Sequence, residues 1–462
     1  MKFFTLIFLI LFTTFSASAQ RDRNLYNSPD VIKFETTDSI PSMKVKDKES
    51  ENINTKTDKV KDAIESIPTD NIPELDTQII RKEVYRVALI LPFNAGAGWG
   101  SMNKAISMIR DSSAKKGNIP RETKISIEFY NGIRIAIAEA SRAKVKIEFY
   151  AYDDLKNEEQ VKKLLADSIM KTMDIIIGPA HTQNAILVAD FCKKNKIYNF
   201  STLSPSIYIA TSNPYHFKLN PSIEMLCKSM VNHLVEKYEY GSVLVLGRAT
   251  EDDRHYASIV YDYVQELNKT LPIDKQLFCD TLISGNASNK KSLSSMYTGN
   301  HNIVICPSFN EGFISSSCGR ISSGSNVSFY GMPTWLDYDA VNYNGMNGAR
   351  PFILKVSYAD TSQAEDKAFV KNFRENHGFP AEDNTLLGYD IMKFTIYALE
   401  NFGLSMKDHV EEMYYEGLFT KFKFQPVKYI KEDKELPFDL YENNQVNYPQ
   451  FENFELTAPD DN

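Results

Sequence analysis

The stretch Met173-Asp-Ile-Ile-Ile-Gly-Pro-Ala-His-Thr182 constrains the fold more than any other part of the chain. An apolar run that stops at Gly-Pro and leads into small hydroxyl residues is a parallel strand opening onto a helix N-terminus. Asn199-Phe-Ser-Thr-Leu-Ser-Pro-Ser206 repeats the device after the apolar stretch Lys196 to Phe200. Two such turns at the carboxyl ends of parallel strands make a cup of backbone N–H and hydroxyl donors. Open α/β sheets take small ligands at that place.

The surrounding pattern alternates strand and helix. Strands are expected at Tyr85–Phe93, Val145–Tyr152, Ile175–Ile177 and Ile197–Phe200, with helices at Ile125–Ala140, Asn157–Met170 and Asn184–Lys194. The alternation predicts a parallel sheet with right-handed crossovers. A second run follows Pro214-Tyr-His-Phe-Lys-Leu-Asn220, which reads as a crossover. It has helices at Ser222–Tyr238 and Tyr256–Leu267, and strands at Ser242–Leu246, Leu277–Leu282, Asn302–Pro307 and Val327–Gly331. Pro351–Tyr358 reads as a return crossover, followed by helices at Gln363–His377 and Thr385–Phe402. The fold class expected is α/β, two Rossmann-like lobes with parallel sheets joined by a multi-strand hinge.

The lobes are expected at 84–217 plus 348–405 and at 218–347 plus 406–430, with Glu411 to Phe424 as a helix and strand and 431–462 as an irregular tail. Ahead of them, residues 1–19 read as a secretory signal: Lys2, an apolar core from Phe3 to Phe15, and the small-residue site Ala17-Ser-Ala19 before Gln20. That places the mature chain in the periplasm. No later segment approaches the roughly 18 apolar residues of a membrane span, and no Cys follows the cleavage site to carry a lipid. Residues 20–83 are polar and charged, without periodicity, and read as a disordered tether with a short helix near Val60–Ile67.

Composition narrows the chemistry. A net charge of −8 and the lack of a Lys/Arg cluster argue against nucleic acid. Cys192, Cys227, Cys279, Cys306 and Cys318 form no CxxC or Cys/His spacing, so no metal and no cofactor is expected, and buried thiols are the simpler reading. Cys306 and Cys318 are the one pair to test for a disulfide. No G-x-S-x-G, H-E-x-x-H or G-x-x-x-x-G-K-[ST] occurs, and the seven histidines are scattered, so the chain is read as not an enzyme. Asn94-Ala-Gly-Ala-Gly-Trp-Gly100 lacks the third glycine of a dinucleotide turn and reads as a loop over the cleft carrying Trp99.

In this order, Val87-Ala-Leu-Ile-Leu-Pro92, Phe129-Tyr-Asn-Gly132, Tyr152-Asp-Asp154, Ile175-Ile-Ile-Gly-Pro179, Ser201 to Ser206 and Asn213-Pro-Tyr-His-Phe217 resemble the type I periplasmic binding protein fold. Phe369-Val-Lys-Asn-Phe373, His377-Gly-Phe-Pro380 and Gly388-Tyr-Asp390 continue the match over residues 85–403. That fold also serves as the ligand-binding region of several receptors. Leu91-Pro-Phe93 with Phe129-Tyr-Asn-Gly132 resembles a Bacteroidetes-type branch often fused to a peptidoglycan-binding lysin-motif domain, whose place the tether takes here. By the resemblance to branched-chain amino-acid binders, Ala180, His181, Thr182, Ser204 and Ser206 contact a ligand carboxylate, and Tyr256 closes over it. The acid that holds the amino group in those binders is absent, since Phe329-Tyr-Gly-Met-Pro-Thr-Trp335 reaches no acid before Asp337. Glu251, Asp252 and Glu311 are the substitutes at hand.

Each candidate has a plainer alternative. Thr182, Ser204 and Ser206 either donate to a carboxylate or cap the following helices. His181 meets an anion or faces solvent at the rim, and Tyr256 closes on ligand or packs in the core. Trp335 is either a flat wall of the cleft or packing under a loop. Asp153 and Asp154 end a strand on the ligand side, where they either cap structurally, the simpler reading, or meet the ligand. The function expected is an exported solute-binding protein closing on a small polar ligand, such as an amino acid or short peptide, for transport or sensing. Its partners would be that ligand and a membrane permease or envelope protein. The alternative is an envelope scaffold, since related bodies activate peptidoglycan synthases, with the pocket vestigial.

Overall fold

A computed structural model describes residues 79–94, 120–140, 143–204, 206–238, 241–284, 302–321, 327–429 and 437–458. The signal, most of the tether with its short helix, and the glycine loop with Trp99 lie outside the described residues.

The first lobe is built on parallel strands β1 (Val84–Leu91), β2 (Lys146–Asp153), β3 (Ile175–Ile177), β4 (Tyr198–Ser201) and β5 (His216–Lys218), in the order β5-β4-β3-β1-β2. Helices α1 (Arg121–Glu139), α2 (Glu158–Ala166) and α3 (Thr182–Asn195) connect them. The three isoleucines of β3 are all buried, as a central parallel strand covered on both faces requires. The second lobe repeats the plan with β6 (Ser242–Arg248), β7 (Phe278–Ser284), β8 (Asn302–Cys306), β9 (Val327–Gly331) and β10 (Phe352–Ile353), ordered β10-β9-β8-β6-β7. Its helices are α4 (Ile223–Lys237), α5 (Glu251–Asn268), α6 (Glu311–Cys318) and α7 (Tyr343–Ala349). The two short helices α6 and α7 had no counterpart among the expected elements.

After β10 the chain returns to the first lobe as α8 (Ala364–His377) and α9 (Asp383–Phe402), and α9 lies against α1. Glycines permit that approach: a Cβ at Gly132 would strike the carbonyl of Thr385, and one at Gly388 that of Phe129. Phe129, Phe200, Phe217 and Phe394 then meet in the core of the first lobe, while Val245, Ile305, Phe329 and Trp335 belong to a separate core in the second.

The remaining strands correct the expected domain map. β11 (Tyr414–Glu416), β12 (Lys421–Val427) and β13 (Leu440–Asn443) extend the first sheet beyond β5, so residues 406–427 do not join the second lobe. Only a short 3-10 turn at Val410–Glu412 stands where a helix was expected. The segment read as an irregular tail is ordered. It supplies β13 to the first sheet and, to the second, β14 (Gln450–Glu452) antiparallel to β10 and β15 (Glu455–Thr457) antiparallel to β14. Chain direction then orients the lobes. The polypeptide leaves the first sheet at the carboxyl ends of β5 and β13 and leaves the second at that of β10. The carboxyl edges of both parallel sets therefore face the hinge and the cleft.

Candidate functional site

The wall contributed by the first lobe forms where β3 ends and α3 begins. His181 is the extended N-cap residue of α3 and makes no side-chain cap, so the first amides of the helix keep no side-chain acceptor from their own N-cap. Ala180, His181 and Thr182 are half-buried. Asn184, one turn in, donates to Asp154 Oδ2 (2.9 Å) and pins the helix start to the end of β2. Asp154 also accepts the N–H of Lys156, and Asp153 accepts those of Asn94 and Leu155. Both aspartates are thus turn-formers.

The serine-rich turn after β4 packs beside this helix start. Thr182 Oγ1 and Ser204 Oγ lie 3.1 Å apart, and Ser204 is buried. Ser206 is half-buried, and its Oγ accepts the N–H of Tyr208, whose ring stands 62% exposed. Of the expected ligand contacts, Thr182 and Ser204 are thus brought together, and the Ser204 hydroxyl is buried against its partner rather than open.

In the second lobe, Tyr256 is half-buried on α5 and meets Phe309 edge-on at 6.0 Å. Next to it His255 Nε2 lies 3.6 Å from Glu224 on α4. Glu251 and Asp252 are exposed in the first turn of α5 and Glu311 is half-buried in that of α6, apart from the buried Asp253, which binds the Arg248 guanidinium.

Trp335 is corrected from cleft wall to core. The 3-10 turn Pro333–Asp337 folds the indole back beneath β9, fully buried over Gly331 and 5.4 Å from Phe329. Its Nε1 donates to Ser308 O (2.9 Å), which satisfies the one polar atom of the ring. The residue of that turn reaching the other lobe is Asp337, 4.0 Å from Arg121 at the start of α1.

The sequence reading missed the charges behind the wall. Lys218 at the end of β5 is fully buried, and its Nζ donates to Ser204 O. Burial pulls its pKa down to about 8, against the opposing pull of Glu442 and Glu224. Glu442 on β13 is buried in register with Lys218 and accepts the N–H of Ser222 and the hydroxyl of Tyr429. Burial raises the pKa of Glu442, and Lys218 counteracts it. A lysine within a short strand reads as solvent-facing. Its flanking residues Phe217 and Leu219 point to the opposite face, so nothing local marked it as buried.

No group of three or more His, Cys, Asp or Glu among the described residues could hold a metal. All five cysteines are buried free thiols. A concavity of about 580 Å³ lies at the opposite pole, lined by Lys82, Arg86, Lys171, Asp174 and Lys196 near the amino ends of β1 and β3, and contributes nothing to the cleft. No helix among the described residues is long and apolar enough to cross a membrane.

No protein-family model matches the sequence, and no curated protein matches it either. Solved structures do. A putative branched-chain amino acid ABC transporter protein from Rhodospirillum rubrum superposes with a TM-score of 0.55 at 11% identity, covering 81% of this chain and 100% of that one. An ABC transporter substrate-binding protein from Desulfitobacterium hafniense gives 0.52 at 13% identity, covering 82% of this chain and 100% of that one. The LpoA C-domain from Haemophilus influenzae, described as a regulator of PBP1A, gives 0.51 at 11% identity, covering 81% and 99%. At such identities the likeness concerns architecture, and the architecture is the two-lobed α/β fold of type I periplasmic binding proteins.

Proposed function

We propose that the protein is an exported binding protein whose lobes close on a small polar ligand bearing a carboxylate, such as an amino acid or short peptide, for transport or sensing. The observation that carries this reading is the wall at the carboxyl edge of the first sheet. There α3 starts without a side-chain cap, with Thr182 Oγ1 beside it and the Lys218 ammonium behind the Ser204 turn. Helix-terminal amides, a hydroxyl and a nearby positive charge together suit a carboxylate. The half-exposed Tyr256 supplies a surface to close from the other side. The residues shared with the lysin-motif-associated branch make cell-wall peptides reasonable members of the ligand class, and the leader and tether fit an envelope protein.

The test is a thermal-shift screen with amino acids, short peptides and peptidoglycan fragments, followed by calorimetry on any hit. Thr182→Val is expected to weaken binding by about 1 kcal/mol through loss of one donor. A screen in which no compound raises the melting temperature counts against the reading.

One observation favours a second reading, an envelope scaffold or regulator of peptidoglycan synthesis. Ser204 is sealed and its hydroxyl is paired with Thr182, so part of the donor cup is already satisfied. The likeness to the LpoA C-domain belongs to the same reading. Recovery of a peptidoglycan synthase from envelope extracts on the immobilised protein, alongside a silent ligand screen, would favour it.

A further inference from the structure

Three segments join the lobes: residues 219–222 after β5, 354–357 after β10, and 444–449 after β13. The third laces the other two together. Asn443 Nδ2 donates to Leu219 O on the first crossing (3.2 Å) and to Lys421 O (3.1 Å). Asn447 and Lys355 exchange both backbone hydrogen bonds, at 2.8 and 3.0 Å. Asn447 Nδ2 also reaches Val356 O (3.3 Å) and Phe419 O (3.1 Å). The hinge is thus held by one backbone bridge and a few asparagine hydrogen bonds.

Lys218 and Glu442 sit just before the first and third of these crossings. They are register neighbours on adjacent parallel strands, both fully buried. Lys218 holds Ser204 O on the ligand-side turn, whereas Glu442 holds the N–H of Ser222, the residue whose Oγ caps α4 of the other lobe. These direct partners are neutral groups, so Lys218 relies for compensation on the carboxylates near it, Glu442 across the sheet and Glu224 on α4, and Glu442 relies on Lys218. We propose that Lys218 and Glu442 form a positioning couple. Lys218 fixes the Ser204 turn of the ligand wall, Glu442 fixes the first crossing, and their attraction ties the shape of the wall to the angle between the lobes. This rests on the cleft being the binding site, although its test needs no ligand.

The groups acting on Lys218 are Glu442 on β13, Glu224 on α4 and His216 on its own strand, while Tyr429 beyond β12 binds Glu442. Burial keeps His216 neutral down to about 3 and raises the Tyr429 phenol. Burial pulls Lys218 to about 8, so it loses its charge under mildly alkaline conditions.

The experiment places spin labels on the full chain at Lys162→Cys on α2 and Lys269→Cys at the end of α5, both exposed, the native thiols being buried. Inter-lobe distance distributions are then recorded for the parent, Lys218→Met, Glu442→Gln and the double variant, with a circular-dichroism melt of each. Each single variant is expected to broaden or shift the distribution, since it leaves one buried charge alone. The double variant should return toward the parent, a rescue that independent structural damage would not produce. Distributions unchanged in the singles, or a double as broad as both effects added, would overturn the proposal. Should Lys218→Met not fold, the labelled parent is titrated through about 8, where broadening is expected and constancy overturns. A silent ligand screen leaves this result untouched, and a negative result here leaves the binding reading standing.

Discussion

His216 and His233 are interior imidazoles, the first fully buried, and burial holds them at about 3 and about 4 respectively. An unfolded chain protonates both as pH falls below about 6.5, whereas the folded chain does not, so each contributes stability that is complete above that value and lost as pH falls toward its folded value. Urea melts across this acid range should show stability falling by up to about 1.4 kcal/mol per pH unit per histidine. His216→Gln should flatten that slope, and an unchanged slope would count against the assignment. Trp335→Ala is expected to cost about 3–5 kcal/mol in the same melts, as loss of a large core side chain does, and to leave ligand affinity unchanged. These residues also show where sequence reading reaches its limit. A tryptophan four residues past a strand's last buried position looks like a cleft residue until a 3-10 turn reverses it. Lys218 and Glu442 escaped notice because nothing local to either reveals that two strands about 220 residues apart, β5 and β13, lie side by side.

At the scale of elements, the contact of α1 with α9 depends on the absence of two side chains. Gly132→Ala or Gly388→Ala forces a methyl group into a backbone carbonyl of the opposite helix and should destabilise by about 1–3 kcal/mol, or more where the helices cannot part. Denaturant melts of the two variants check this, and a neutral outcome at both would show the helices free to separate. The elements that sequence pattern anticipated are those with their own apolar signature: β1, β3 and β8 are rich in buried Val, Ile or Leu, β9 buries Phe329 and Tyr330, and α1, α3, α4 and α9 carry helical periodicity. The elements it missed are short and polar. Leu440-Tyr-Glu-Asn443 and Gln450-Phe-Glu452 are strands only because β5 and β10 offer them hydrogen-bonding edges. Tertiary context, not propensity, makes them.

For the whole molecule, the third crossing and the strands it delivers bind the lobes into one unit. A chain stopped after Asn443 keeps every strand of the first sheet but loses β14, β15 and the bonds of Asn447 to the second crossing. Calorimetry is expected to show the second lobe melting separately and earlier, with Phe352 and Phe451 no longer packed in one core. A single transition matching that of the intact chain would sink this view of the hinge. The late position of these strands also bears on how the protein is made. β12 and β13 complete the first sheet and β14 pairs with β10 in the second, and all three are encoded after residue 420. While the ribosome is still translating, neither hydrophobic interior can be sealed, so the nascent polypeptide should remain a client of holding chaperones until nearly its entire length has emerged.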